Sequence, residues 1–66
     1  MHLTINGEPR DVPGTPTVLE LLRTLGLTEG PVAVELNREI VPRADHGTRR
    51  VADGDVLEIV HMVGGG

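Results

Sequence analysis

The chain lacks cysteine, lysine, phenylalanine, tyrosine and tryptophan, and it has no long apolar run. Without cysteine, no disulfide or thiolate metal site stabilises the fold, and packing must do so. Without aromatic rings, bases have nothing to stack on. No apolar stretch is long enough for a membrane span, and no secretory leader is recognisable. These absences predict a cytoplasmic protein with no membrane association.

Charge and length limit the possible partners and the number of domains. The 66 residues include six arginines and ten carboxylates, so the formal net charge is −4. That sign opposes binding to a phosphate backbone, and we expect no nucleic-acid partner. A chain this short forms one domain, which buries about 60% of the surface of its unfolded form. A neutral lysine amine would attack an activated acyl group, whereas the protonated guanidinium of arginine would not. The use of arginine in place of lysine is therefore compatible with an activated acyl group on this chain.

The first third of the chain predicts a β-hairpin followed by a helix. Residues 1–5 alternate apolar and polar side chains, Asn6-Gly7 suits a tight turn, and residues 8–12 return antiparallel. Pro9 has no N–H, which places this second strand at a sheet edge. A helix then runs from Thr17 to Gly26, with Thr17 and Glu20 spaced as a capping box. Its apolar stripe is predicted to be core: Val18, Leu21, Leu22 and Leu25.

The remainder predicts three more strands. Residues 32–36 and 39–41 form a second hairpin, and residues 56–63 form the last strand after a turn at Asp53-Gly54-Asp55. That turn lacks the ligand series of a calcium loop, so we predict no metal site. His46, in the polar loop between them, is expected to be an ordinary surface residue because no second ligand accompanies it.

The last strand has two faces with different predicted roles. Glu58 marks the solvent side, so Leu57 and Ile59 are predicted to be core. The same alternation leaves apolar side chains on the outer face, where we predict a patch for partner docking: Val56, Val60 and Met62.

This order of elements, strand-strand-helix-strand-strand-strand, predicts an α+β fold of the β-grasp type. A right-handed crossover lets the last strand lie beside the first in a mixed sheet of about five strands, with the single helix on one face. The domain would span residues 1–63, followed by a flexible tail of residues 64–66. Because glycine has no Cβ, Gly64, Gly65 and Gly66 could enter a channel too narrow for any side chain.

The sequence resembles the ThiS family, the sulfur carriers of thiamin biosynthesis. The resemblance spans the whole chain, and a pair of glycines that ends a single β-grasp domain of this length is fairly specific. It rests on five segments of this sequence: Asn6-Gly7, residues 17–22, residues 37–43, residues 53–60 and residues 61–66.

The resemblance implies a co-substrate rather than an enzyme. A partner enzyme would adenylate the Gly66 carboxylate with ATP. A carboxylate is a poor electrophile, whereas the acyl-adenylate carries AMP as a good leaving group. Sulfur mobilised by a cysteine desulfurase would then displace AMP, and thiazole synthase would use the resulting thiocarboxylate. Gly64 and Gly65 would lie in the partner's channel. No permanently bound cofactor is implied.

Three other functions remain open at this point. The small subunit of molybdopterin synthase is a related carrier with a different acceptor. A ubiquitin-like protein modifier would form isopeptide-linked adducts on lysines of other proteins. A plain β-grasp binding module would carry an inert glycine tail. Conversion of Gly66 to a thiocarboxylate would separate a carrier from the inert module, and the isopeptide-linked adducts would identify a modifier.

Overall fold

The computed structural model describes residues 1–62 and contains the predicted hairpin, helix and three further strands in the predicted order. Val63 and the predicted glycine tail, residues 64–66, lie outside the described residues, and so does the predicted domain boundary between them. The elements are β1 (His2–Ile5), β2 (Glu8–Asp11), α1 (Val18–Thr24), β3 (Val32–Leu36), β4 (Glu39–Val41), a 3₁₀ turn (Arg43–Asp45) and β5 (Val56–His61).

The strands form one mixed sheet in the order β2-β1-β5-β3-β4. β1 and β5 run parallel, while the other neighbours run antiparallel. The predicted β-grasp arrangement is therefore confirmed, with the last strand in the centre beside the first. β2, which contains Pro9, lies at an edge, where a missing N–H breaks no ladder.

Both hairpin turns use positive backbone φ angles. Asn6 (φ 52°) and Gly7 (φ 80°) join β1 to β2, as the Asn-Gly pair predicts. Asn37 (φ 50°) and Arg38 (φ 70°) join β3 to β4. Arg38 occupies a position that glycine usually fills, because a Cβ makes this backbone region unfavourable.

The helix lies within the predicted range, and Thr17 and Gly26 flank it as predicted. The Thr17 hydroxyl accepts from the Glu20 N–H at 3.1 Å, and a Glu20 carboxylate oxygen accepts from the Thr17 N–H at 2.9 Å, which completes the capping box. At the other end Gly26 has φ 74°, and the Leu27 N–H donates to the Leu22 carbonyl at 2.9 Å. This is a Schellman motif, in which glycine adopts the left-handed conformation that ends the helix.

The helix covers one face of the sheet, and the core lies between them. The predicted apolar stripe of α1 is buried, except Leu25, which is half-buried against the core. The strands bury six further apolar side chains under the helix: Leu3, Ile5, Val34, Leu36, Leu57 and Ile59. Burial of this apolar area supplies the main stabilising free energy of the fold. Three valines outside the predicted core complete it: Val12, Val41 and Val51.

The prediction for His46 is wrong, since only 6% of this residue is exposed. The 3₁₀ turn directs the chain inward, and the His46 Nε2–H donates to the Val41 carbonyl at 3.1 Å. The His46 carbonyl accepts from the Leu19 N–H at 2.7 Å. His46 therefore connects the loop to both β4 and α1, and these hydrogen bonds offset the cost of burying its polar atoms.

Candidate functional site

The candidate site is the end of β5, from which the sequence continues into the glycines. β5 lies between β1 and β3, and the described part of the chain reaches Met62. The predicted site residues Gly64, Gly65 and Gly66 lie outside that part. What the structure describes is therefore the base of this segment, His61 and Met62, and the groups that hold it.

On one side, the Asn6 side chain holds β5. Its Oδ1 accepts from the Ile59 N–H at 2.7 Å, and its Nδ2 donates to the Ile59 carbonyl at 3.1 Å. β1 ends at Ile5, so it offers no backbone partner at this level. The Asn6 amide satisfies both backbone groups of Ile59 in place of a strand, which keeps β5 in position close to its end.

On the other side, residues 29–31 hold the same end. The Met62 N–H donates to the Pro31 carbonyl at 3.0 Å, and the His61 Nε2–H donates to the Glu29 carbonyl. Gly30 has φ 77°, and a Cβ added there would lie 3.1 Å from the Met62 carbonyl oxygen. Glycine thus permits both the backbone conformation and the close approach.

The three predicted docking residues are all exposed to solvent. Val56 is 45% exposed, Val60 57% and Met62 52%. We call the sheet surface opposite the helix the open face. Val60 lies opposite Ala33 of β3 on this surface, and Val56 lies opposite Thr4 of β1. Exposed apolar side chains on one sheet surface next to the site are compatible with docking, which stays a prediction.

Two glutamates lie between these apolar residues on the open face. Glu58 of β5 is directly opposite Glu35 of β3 in the antiparallel register, and Ile40 of β4 lies on the other side of Glu35. Like charges directly across a strand pair are destabilising. The open face therefore combines apolar side chains with a negative charge that does not favour folding.

Among the described residues, a shifted carboxyl pKa occurs at the helix rather than at the end of β5. The pKa of Glu20 is lowered, mainly because its carboxylate accepts the Thr17 backbone N–H, but that group caps the helix and lies away from β5. Within residues 1–62, no cluster of three or more His, Asp or Glu side chains could hold a metal ion. No helix within residues 1–62 combines the length and the apolar character needed to cross a membrane.

Sequence reasoning missed the groups that hold β5. Asn6-Gly7 predicts the turn, but the bonds from Asn6 to Ile59 span 53 residues and require the last strand to lie beside the first. The carbonyls of Glu29 and Pro31 leave no mark in the sequence, because any residue carries one. Gly30 before Pro31 is the one local signal of this close approach.

Comparisons with known proteins agree with the fold. The model of the ThiS family matches residues 3–66. The sulfur carrier protein ThiS of Thermus thermophilus is 40% identical over 62 residues, which cover 94% of this chain and 95% of that protein. The crystal structure of ThiS from Geobacter metallireducens superposes with a TM-score of 0.84 at 40% identity and covers all of both chains.

A second group of relatives is much longer. A thiazole synthase of Paramagnetospirillum magneticum is 50% identical over all 66 residues of this chain, which span 20% of that protein. A thiazole synthase of Magnetococcus marinus is 38% identical, also over 20% of its length. The chain thus spans about a fifth of these two curated relatives.

Proposed function

Since the chain belongs to the ThiS family of small sulfur carriers, we propose that it delivers sulfur for the thiazole ring of thiamin, with the sulfur held as a thiocarboxylate on Gly66. The chain acts in this proposal as a co-substrate, and separate enzymes supply the catalytic groups. Because adenylation consumes ATP, we expect these reactions in the cytoplasm.

The observation that carries the proposal is the placement of β5. It is the central strand, held on one side by Asn6 and on the other by the Pro31 carbonyl, and the sequence runs from it within two residues into Gly64. A firmly held base lets a partner bind the folded body and find the following residues at a fixed point of entry. Such preorganisation lowers the entropy lost on binding.

The proposed chemistry has two activation steps. The Gly66 carboxylate attacks the α-phosphorus of ATP and releases pyrophosphate, which gives an acyl-adenylate with AMP as a good leaving group. A cysteine desulfurase mobilises the sulfur as a persulfide, which thiols reduce to hydrosulfide while they are oxidised to a disulfide. The hydrosulfide then attacks the acyl carbon and loses its proton. The C–S bond forms, the C–O bond to AMP breaks, and AMP leaves with that electron pair. The thiocarboxylate that remains is the sulfur donor.

We propose the open face as the surface that the adenylating enzyme recognises, through Val56, Val60 and Met62. Their apolar area would be buried, while Glu35 and Glu58 would meet basic groups of the partner. Val60→Ala should weaken that binding by about tenfold, because Val60 is the most exposed of the three docking residues. Ile40→Ala is the comparison within the open face: Ile40 is also exposed but lies on the edge strand, so its truncation should weaken binding less.

Intact-mass measurement tests the carrier function. The protein is incubated with ATP, an adenylating enzyme and a sulfide source, and we expect its mass to rise by the difference between sulfur and oxygen. A variant without Gly65 and Gly66 should show no such change while unfolding at nearly the same temperature. An unchanged mass in the wild-type protein would favour an inert binding module instead.

The acceptor enzyme distinguishes thiamin synthesis from the related carrier function. Two longer relatives named thiazole synthase contain a region similar to this whole chain, which supports a link between carrier and synthase. The thiocarboxylate form is therefore offered to thiazole synthase and to the large subunit of molybdopterin synthase. We expect turnover with thiazole synthase, whereas turnover with the other enzyme alone would reassign the pathway.

A further inference from the structure

A cleft of about 340 Å³ lies on the helix side of the sheet, between α1, the segment of residues 27–32 and the loop of residues 43–47. We call it the basic cleft. Its apolar lining comes from four side chains: Leu19, Leu22, Leu27 and Val32. This volume is at the lower end of the range of binding pockets, and it suits one or two side chains of a bound segment.

The charged side chains that line the basic cleft are both cationic. Arg23 comes from α1 and Arg43 from the 3₁₀ turn, and within residues 1–62 no carboxylate lines the cleft. Neither arginine takes part in a salt bridge within residues 1–62. Glu20, the carboxylate nearest to Arg23 along α1, is hydrogen-bonded to the Thr17 N–H at the start of the helix. In a chain with a net charge of −4, two arginines beside one apolar cleft favour an anionic occupant.

The walls of the basic cleft are fixed by buried hydrogen bonds. His46 lines it and donates from Nε2 to the Val41 carbonyl at 3.1 Å, while its backbone carbonyl accepts from the Leu19 N–H. The loop that carries Arg43 is thereby attached to β4 and to α1. A fixed wall reduces the ordering cost that an occupant would otherwise incur.

The basic cleft lies next to the candidate site. Gly30 lines it, and the same residue approaches the Met62 carbonyl oxygen at the end of β5. Val32, another lining residue, lies opposite His61 in the sheet. A protein that engages the end of β5 therefore finds this cleft beside it, on the side of the sheet away from the open face.

We propose that the basic cleft binds an acidic segment of a partner that acts on the C-terminal residues, with a carboxylate between Arg23 and Arg43 and a neighbouring apolar side chain against Leu22 and Leu27. This inference rests on the proposed function, because that function supplies the partners. It assigns the partner an acidic element on the helix side, in addition to the basic surface that complements the open face.

The test compares two double variants with the same charge change. Arg23→Gln with Arg43→Gln removes both charges of the basic cleft, and Arg10→Gln with Arg49→Gln removes two exposed charges outside its lining. Binding to the adenylating enzyme and to thiazole synthase is measured by calorimetry at two salt concentrations. We expect the cleft variant to weaken binding to at least one enzyme by about tenfold, and the control variant to change it far less.

Four outcomes are decisive. Equal weakening by both double variants would mean a general field effect, and it would overturn the inference. No weakening by the cleft variant, with a wild-type protein that binds and acquires sulfur, would overturn the inference and leave the proposed function intact. A wild-type protein that binds neither enzyme would overturn both. In the fourth outcome, both enzymes bind the cleft variant normally, but NMR shows that hexanoate, an anionic probe with an apolar chain, occupies the wild-type cleft. The occupant would then be a small molecule, and the inference of an acidic partner segment would be overturned.

Discussion

The two faces of β5 differ in what they do for the protein. Leu57 and Ile59 point to the helix and are buried, whereas Val56 and Val60, their neighbours in sequence, are about half exposed on the open face. Folding explains the covered face, because its apolar area leaves water. It does not explain the open face, where Glu35 opposes Glu58. Folding therefore accounts for one face of β5, and the binding role proposed above would account for the other.

The largest effect should follow from truncation on the covered face. Leu57 is fully buried, so Leu57→Ala should lower the free energy of unfolding by about 2–5 kcal/mol through lost transfer energy and a new cavity. Val56→Ala, one residue earlier on the open face, should change it by about 0.5 kcal/mol or less. Urea unfolding of both variants measures this difference. Equal losses in the free energy of unfolding would show that the two faces of β5 contribute equally to stability.

The helix that creates the covered face should depend on its N-terminal cap. Thr17→Ala removes the hydroxyl that accepts the Glu20 N–H, and it should cost about 1 kcal/mol. Thr17→Ser keeps the hydroxyl and should recover most of that loss. If both variants were equally destabilised, the packing of the Thr17 methyl group, rather than the capping box, would be responsible.

On the open face, a substitution should raise stability instead. Glu58→Lys replaces the opposition of Glu35 and Glu58 with an attractive pair, and it should increase the free energy of unfolding by about 0.2–1 kcal/mol. The same variant should bind the adenylating enzyme less well, because it places a positive charge where a basic partner surface is expected. Unchanged binding together with higher stability would argue against a role for this face in recognition.

The smallest effect concerns pH. The pKa of Glu20 is lowered from 4.5, so its carboxylate contributes fully to stability above pH 4.5 and loses that contribution as the pH falls through the lowered value. Glu20→Gln keeps an acceptor for the Thr17 N–H but cannot titrate. The stability difference between wild type and variant should therefore be larger at neutral pH than well below pH 4.5. A difference that does not vary with pH would contradict this assignment.

Much of the fold could be predicted because its signals are local. The capping box, the Asn6-Gly7 turn and the alternation around Glu58 each specify an element within a few residues. The loop residues that join the protein core could not be predicted in this way. Val51 and His46 lie in no periodic segment, and they become buried only because the loop packs against the helix and β4.

The candidate site, like the fold, has features that local sequence predicts and features that depend on distant contacts. The exposure of Val56, Val60 and Met62 follows from strand alternation and the last apolar run, and the structure agrees. The hold of Asn6 on Ile59 and the pairing of Arg23 with Arg43 in one cleft depend on contacts between distant segments. The positive φ of Arg38 was not predictable either, since arginine rarely occupies that region.

The central claim, that this chain carries sulfur to an acceptor, is tested most directly by following the sulfur itself. The thiocarboxylate form is prepared with isotopically labelled sulfide and mixed with thiazole synthase and its other substrates in a single turnover. We predict that the label leaves the carrier, that the carrier returns to its original mass, and that the label appears in the thiazole product. Label that stays on the carrier while unlabelled thiazole forms would contradict the account.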